Sequence, residues 1–286
     1  HRRSARTDAS LRKSSLPMSL TPLAKLRSAT GAATVCGAIA LLYRAWLSRR
    51  YFGAEEEDWG NLGITFGTLQ SGFTYVEMEH MPLFTGLAAA ATALTGDAEL
   101  GGEMIAILSG AIGVAAVTWM GWRWLSPLAG VLAGVLLTFQ PDSALYAATP
   151  LRISTFTALS LLAVAMIGER RHWLAGLFLS LAFLCRFDIL LTVVPALGLL
   201  VGVDWWRSRT RPELQPGDAI HLVPALLPLS LTVLGWSAFY KMKLGTWAFW
   251  GGVAERNTGE YGHLGLTERL GHGLETLGGV FTEVLP

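Results

Sequence analysis

Four consecutive carboxylates, Glu55, Glu56, Glu57 and Asp58, follow directly on the first long apolar run of the chain. Carboxylates held at a membrane surface meet a lipid-borne substrate and a water-borne acceptor together, and one of them could take the proton from an acceptor hydroxyl. General-base help of that kind is worth roughly 10²–10⁴-fold. Downstream, Glu79-His80-Met81-Pro82-Leu83-Phe84 forms a polar patch heading a second apolar segment, where His80 could bind an acceptor or a phosphate. A third element, Cys185-Arg186-Phe187-Asp188, interrupts the apolar stretch 173–203. Ionisable groups inside a membrane are rare and usually functional, so Arg186 is the first candidate to clamp a phosphate and Arg152 the second. His80 and Asp188 complete the candidate substrate-binding set. Plainer readings stand beside each of these: a solvated acidic loop, a hydrogen-bonded interfacial His80, and an Arg186 that pairs with Asp188 or reaches for the surface.

The elements that must position these groups are apolar runs. Of 286 residues, 52% are hydrophobic and 15% charged, with mean hydropathy +0.43; a soluble domain carries roughly 25% charged residues. A spanning helix needs about 20 mostly apolar residues. The sequence predicts spans near 29–47, 104–122, 125–139, 153–167, 222–240 and two within 173–203, split at the Arg186 break. The fold class expected is therefore all-α, a polytopic transmembrane helical bundle of about seven spans, with an external amphipathic loop after the first. The apolar segment Pro82–Leu94 is short enough to be re-entrant or interfacial, and Gln140–Leu151, with Pro141 and Pro150, reads as a loop. Arginines at 123, 170, 171, 207, 209 and 211 then fall on the side of the basic N-terminus, and the acidic 51–103 segment on the other. By the positive-inside pattern the N-terminus is cytoplasmic. This divides the chain into a basic tail (1–28), a transmembrane core (29–240) and an external segment (241–286) that is expected to belong to a longer reading frame, with Met18 a candidate start. Cys36 and Cys185 read as small buried hydrophobes, and Gly130 and Gly134 as a small-residue packing pair.

The order and spacing of these motifs resemble the polytopic glycosyltransferases of the C superfamily, particularly the dolichol-phosphate-mannose-type protein mannosyltransferases and relatives such as aminoarabinose transferases. Glu57-Asp58 stands where that family has an acidic pair after the first span, Leu69 and Gly72 where a short amphipathic helix ends, and His80-Met81-Pro82-Leu83 where a proline element opens the next apolar segment. The likeness continues through Leu94-Thr95-Gly96-Asp97, the Pro141 segment and Leu184-Cys185-Arg186-Phe187-Asp188, covering about residues 30–240. Two departures are visible: the acidic pair reads Glu-Asp rather than Asp-Glu, and Met81 replaces a proline.

The resemblance implies transfer of a sugar from a polyprenyl-phosphate donor to a hydroxyl of a lipid, glycan or protein acceptor on the external face, with inversion. Asp58 is then the preferred base and Glu57 the alternative, both catalytic candidates. No cofactor is required, although the carboxylate quartet leaves room for a divalent cation. The expected partners are the donor, the acceptor and membrane lipids, with no nucleic acid, and the expected location is a bacterial inner membrane. A transporter using Arg186 and Asp188 in a substrate path, or a non-catalytic membrane scaffold, is the alternative.

Overall fold

The computed structural model describes residues 22–50, 81–187 and 223–244, with isolated positions within 63–71 and 189–199. Among these the ordered elements are α-helices: α1 (Pro22–Ser48), α2 (Pro82–Thr95), α3 (Ala98–Trp124), α4 (Pro127–Phe139), α5 (Pro141–Ala148), α6 (Arg152–Gly168), α7 (His172–Phe183) and α8 (Val223–Leu244). The expected all-helical membrane bundle is what forms. Two helices, Ser28–Ser48 and Ala98–Trp124, are long and apolar enough to cross a membrane, and a third crossing results if the bent pair α4–α5 counts as one. α2, α6 and α7 are apolar but shorter. Against an expectation of about seven crossings, the described residues therefore supply two or three by length and composition alone.

The packing is inverted relative to a soluble protein. On α1, Val35, Ile39, Leu42 and Trp46 are exposed, while Ala29, Ala33, Cys36 and Ala40 are buried. On α3, Leu100, Met104, Leu108 and Ile112 face outward, while Gly101, Gly102, Ala106 and Gly110 face inward. Large apolar groups outside and small ones inside suit a lipid solvent, which gives no hydrophobic reward for burial and leaves close backbone packing to hold helices together. α3 is the hub, packing against α1, α2, α4, α5 and α6, while α7 joins α6 to α8.

Glycines set the closest crossing. A Cβ on Gly121 would lie 2.7 Å from the Cα of Gly130, and one on Gly134 would collide with the Thr118 hydroxyl. Gly130 and Gly134 thus seat α4 on α3, as their spacing suggested. Helix ends follow local chemistry. Pro82, Pro127 and Pro141 each open a helix at its first turn, where a missing N–H costs nothing. Gly96, with φ 77°, closes α2 in the left-handed region. Asp97 then caps α3 by accepting from the N–H groups of Glu99 and Leu100.

At one end of the bundle, Arg123 donates to Glu169 at 3.2 Å, which brings the α3–α4 and α6–α7 turns together, as the charge pattern expected. The other end carries the N-terminus of α6 at Arg152. One difference from the sequence reading lies there. Gln140–Leu151 is largely the short helix α5, bent 61° from α4. Pro141 begins that helix rather than ending structure.

Candidate functional site

Of the residues singled out from sequence, Arg152 and Arg186 are described; Asp58, Glu57, His80 and Asp188, like the rest of the acidic quartet, lie outside the described residues. Arg152 is the first residue of α6 and is half-buried. α7 ends at Phe183, close to the break expected at residues 185–188, and Arg186 follows in the turn. The Arg186 guanidinium lies over the ring of Phe156 at 5.9 Å from its centroid. Phe156 is one turn beyond Arg152 on α6, so both arginines attend the same end of the same helix. A cation held over an aromatic face gains electrostatic attraction from the ring.

The proline element reaches this place too. The Leu83 N–H donates to the carbonyl of Leu184 at 2.9 Å, tying the start of α2 to the turn that carries Arg186. Met81 is buried in the core cluster formed with Ala163, Leu179, Ala182, Phe183, Ile189, Leu229 and Tyr240. Segments 81–83 and 184–186, a hundred residues apart in sequence, are thus one structural unit. Cys185 at its centre is a buried free thiol, as is Cys36 on α1, and both were expected to act as small hydrophobes.

A residue that sequence reasoning passed over lies on the other face of α6. At about 3.6 residues per turn, Arg152, Phe156 and Leu159 share one face, and Ser154, Thr157 and Leu161 the opposite one. The first face packs toward α7, with Phe156 and Leu159 against the core cluster. The second lines a cavity of about 360 Å³ together with residues of α1, α3 and α5. Arg44 of α1 projects into it at 1% exposure. Its Nη2 donates to the Ser143 hydroxyl at 2.9 Å, while Nε and Nη1 have no partner among the described residues. Gly110 makes this seat, since a Cβ there would collide with the guanidinium. Two hydroxyl bonds, Ser109 to Thr155 at 2.8 Å and Ser154 to the Tyr146 carbonyl at 2.8 Å, fix α6 against α3 and α5 around it. The signal was present in the sequence: Ala29, Ala33, Cys36, Ala40 and Arg44 recur at helical spacing on one face. A charge on the small-residue face of a span must point inward.

Among the described residues no group of three or more His, Cys, Asp or Glu side chains is placed to hold a metal ion. The charged groups described at this end include guanidinium groups on both faces of α6, with Asp142 and hydroxyls beside them. A family model described as dolichyl-phosphate-mannose-protein mannosyltransferase matches residues 79–236, more than half of the chain. The match takes in the proline element, the α5 segment, both arginines and the first part of α8. Neither the comparison with curated proteins nor that with solved structures finds a match.

Proposed function

Because the chain belongs to the dolichyl-phosphate-mannose-protein mannosyltransferase family, and is an integral membrane glycosyltransferase in kind, we propose that it moves a sugar from a polyprenyl-phosphate donor to an acceptor hydroxyl at the external membrane face. The observation that supports this most is the convergence of Arg152, Arg186 and the 81–83 segment at the N-terminal end of α6. Departure of a lipid phosphate develops negative charge on the bridging oxygen, and a fixed guanidinium aimed there stabilises it without reorganising solvent. Arg186 is the clamp, with Arg152 beside it. His80 and Asp188 border the same two segments in sequence and take the acceptor or the sugar hydroxyls. Asp58, or Glu57 in the neighbouring register, removes the acceptor proton as the acceptor oxygen attacks the anomeric carbon. The bond to phosphate breaks on the opposite side, so configuration inverts and the lipid phosphate leaves as the anion. Catalysis by this route needs no cofactor, and a divalent cation on the carboxylate quartet would assist the phosphate. In this reading the active face is external and the N-terminus cytoplasmic, in a bacterial inner membrane, on the strength of the positive-inside charge pattern. A transporter would not account for the family match.

Arg186→Gln tests the clamp. Loss of a charge-assisted contact to the leaving phosphate, at about 1.5–3 kcal/mol, lowers kcat/KM for sugar transfer by roughly 10- to 100-fold, with Arg152→Gln smaller. Unchanged turnover in a folded Arg186→Gln, Arg152→Gln double variant would overturn the assignment.

A further inference from the structure

We infer that the cavity around Arg44 is a second phosphate-binding site, on the face of α6 turned away from Arg152 and Arg186. Arg44 is 1% exposed and leaves Nε and Nη1 without hydrogen-bond partners among the described residues. Buried donors are almost always satisfied, and a guanidinium inside a span with two idle donors is costly unless an anion completes it. The geometry around it supplies the rest of an anion cradle. α5 and α6 both begin at this cavity, through Ser143 on one and Ser154 on the other. Neither N-terminus has a side-chain cap, so the positive ends of two helices lie near the cavity that Ser143 and Ser154 line.

The cavity also says what the anion carries. Gln140 and Asp142 are exposed at its rim while Arg44 is buried, so a ligand enters past the Asp142 carboxylate. Asp142 forms no ion pair with Arg44, and it opposes a bare dianion. Its carboxylate can accept instead from hydroxyls of a ligand, and Ser143, Tyr146 and Thr157 along the lining add further polar groups. A volume of about 360 Å³ lies at the small end of ligand pockets, roughly 300–1,000 Å³, large enough for a phosphate ester bearing a hydroxylated group. The phosphate can belong to a lipid headgroup or be free in solution.

The experiment counts phosphate sites on the intact protein in nanodiscs by native mass spectrometry, with polyprenyl phosphate in one arm and inorganic phosphate in the other. Arg44→Met is expected to lose one bound polyprenyl phosphate, or to weaken inorganic phosphate roughly 10- to 100-fold, without lowering Tm, because no described partner but Ser143 is abandoned. Binding in either arm that depends on Arg44 supports the site and identifies its source. Stoichiometry and affinity unchanged by Arg44→Met in both arms would overturn it. Should Arg44→Met fail to fold, Asp142→Asn decides: removing the opposing carboxylate from the exposed rim tightens inorganic phosphate about 10-fold, and no tightening overturns the proposal. The site does not depend on sugar transfer. Loss of turnover with Arg44-dependent binding intact counts against the transferase reading alone, and the reverse result counts against this site alone.

Discussion

Gly130→Ala is the sharpest test of how the bundle holds the site. The added Cβ would stand 2.6 Å from the Thr118 carbonyl oxygen and 2.8 Å from the Trp122 Cα, and closer still to the Trp122 amide nitrogen. All three are backbone atoms, which cannot turn aside. Ordinary contact needs about 3.4 Å, so α4 must retreat from α3 by about 1 Å. Overpacking of this kind costs about 1–3 kcal/mol, and backbone collisions place it at the upper end. Alanine returns about 0.5–1 kcal/mol relative to glycine in a helix interior. The net expectation is a destabilisation of about 2 kcal/mol. It reaches the site because α4 ends at Phe139 and α5 follows at Pro141, carrying Ser143 against Arg44. The assay is reversible denaturation in mild detergent, with Gly86→Ala as comparator. Gly86 lies inside α2 with no atom within 4 Å of its Cβ position, so that change is neutral or stabilising. A Gly130→Ala protein as stable as Gly86→Ala would refute the close-crossing argument.

Other expectations are simpler to state. Asp97→Ala removes the cap on the first turn of α3 and should cost about 1 kcal/mol in the same denaturation assay. Arg123→Gln breaks a pair whose side chains are 33% and 26% exposed; screening limits its effect to about 0.5 kcal/mol, and a loss of several would show that the turn contact does more than join two loops. Phe156→Leu keeps an apolar side chain on α6 but removes the ring beneath Arg186. It should raise KM for a lipid-phosphate donor a few-fold with little change in Tm, since a partly exposed cation–π contact is worth about 0.5–1 kcal/mol.

Helix positions were readable because lipid makes backbone hydrogen bonding and apolar length obligatory. The runs near 29–47, 104–122 and 125–139 became α1, α3 and α4, with C-terminal ends within two residues and N-terminal ends within seven. The break at Arg186 was readable for the same reason: a charged pair inside an apolar stretch cannot continue a span cheaply. α5 was not, because Pro141 is equally at home ending one helix and starting another, and only the bend from α4 distinguishes them. Arg44 was passed over because it stands three residues inside the end of the run 29–47, where a long charged side chain ordinarily reaches the membrane surface. Its place on the buried face with Ala33, Cys36 and Ala40 depends on which side of α1 meets α3, which one sequence shows only as a faint stripe of small residues. The union of segments 81–83 and 184–186 depends on a long-range hydrogen bond and on Met81 packing into the Phe183 cluster, for which no local pattern exists. Asp58 and Glu57, the proposed base and its alternative, lie outside the described residues and rest on their place after the first span.

That base is where the account is most directly exposed. The decisive measurement is sugar release from radiolabelled polyprenyl-phosphate donors by the full protein in lipid nanodiscs, comparing wild type with Asp58→Asn and Glu57→Gln. The account predicts turnover by the wild type and a fall of at least about 100-fold on loss of the base, with Tm unchanged. Wild-type turnover in both variants, or no release from any donor by the wild type, would contradict it.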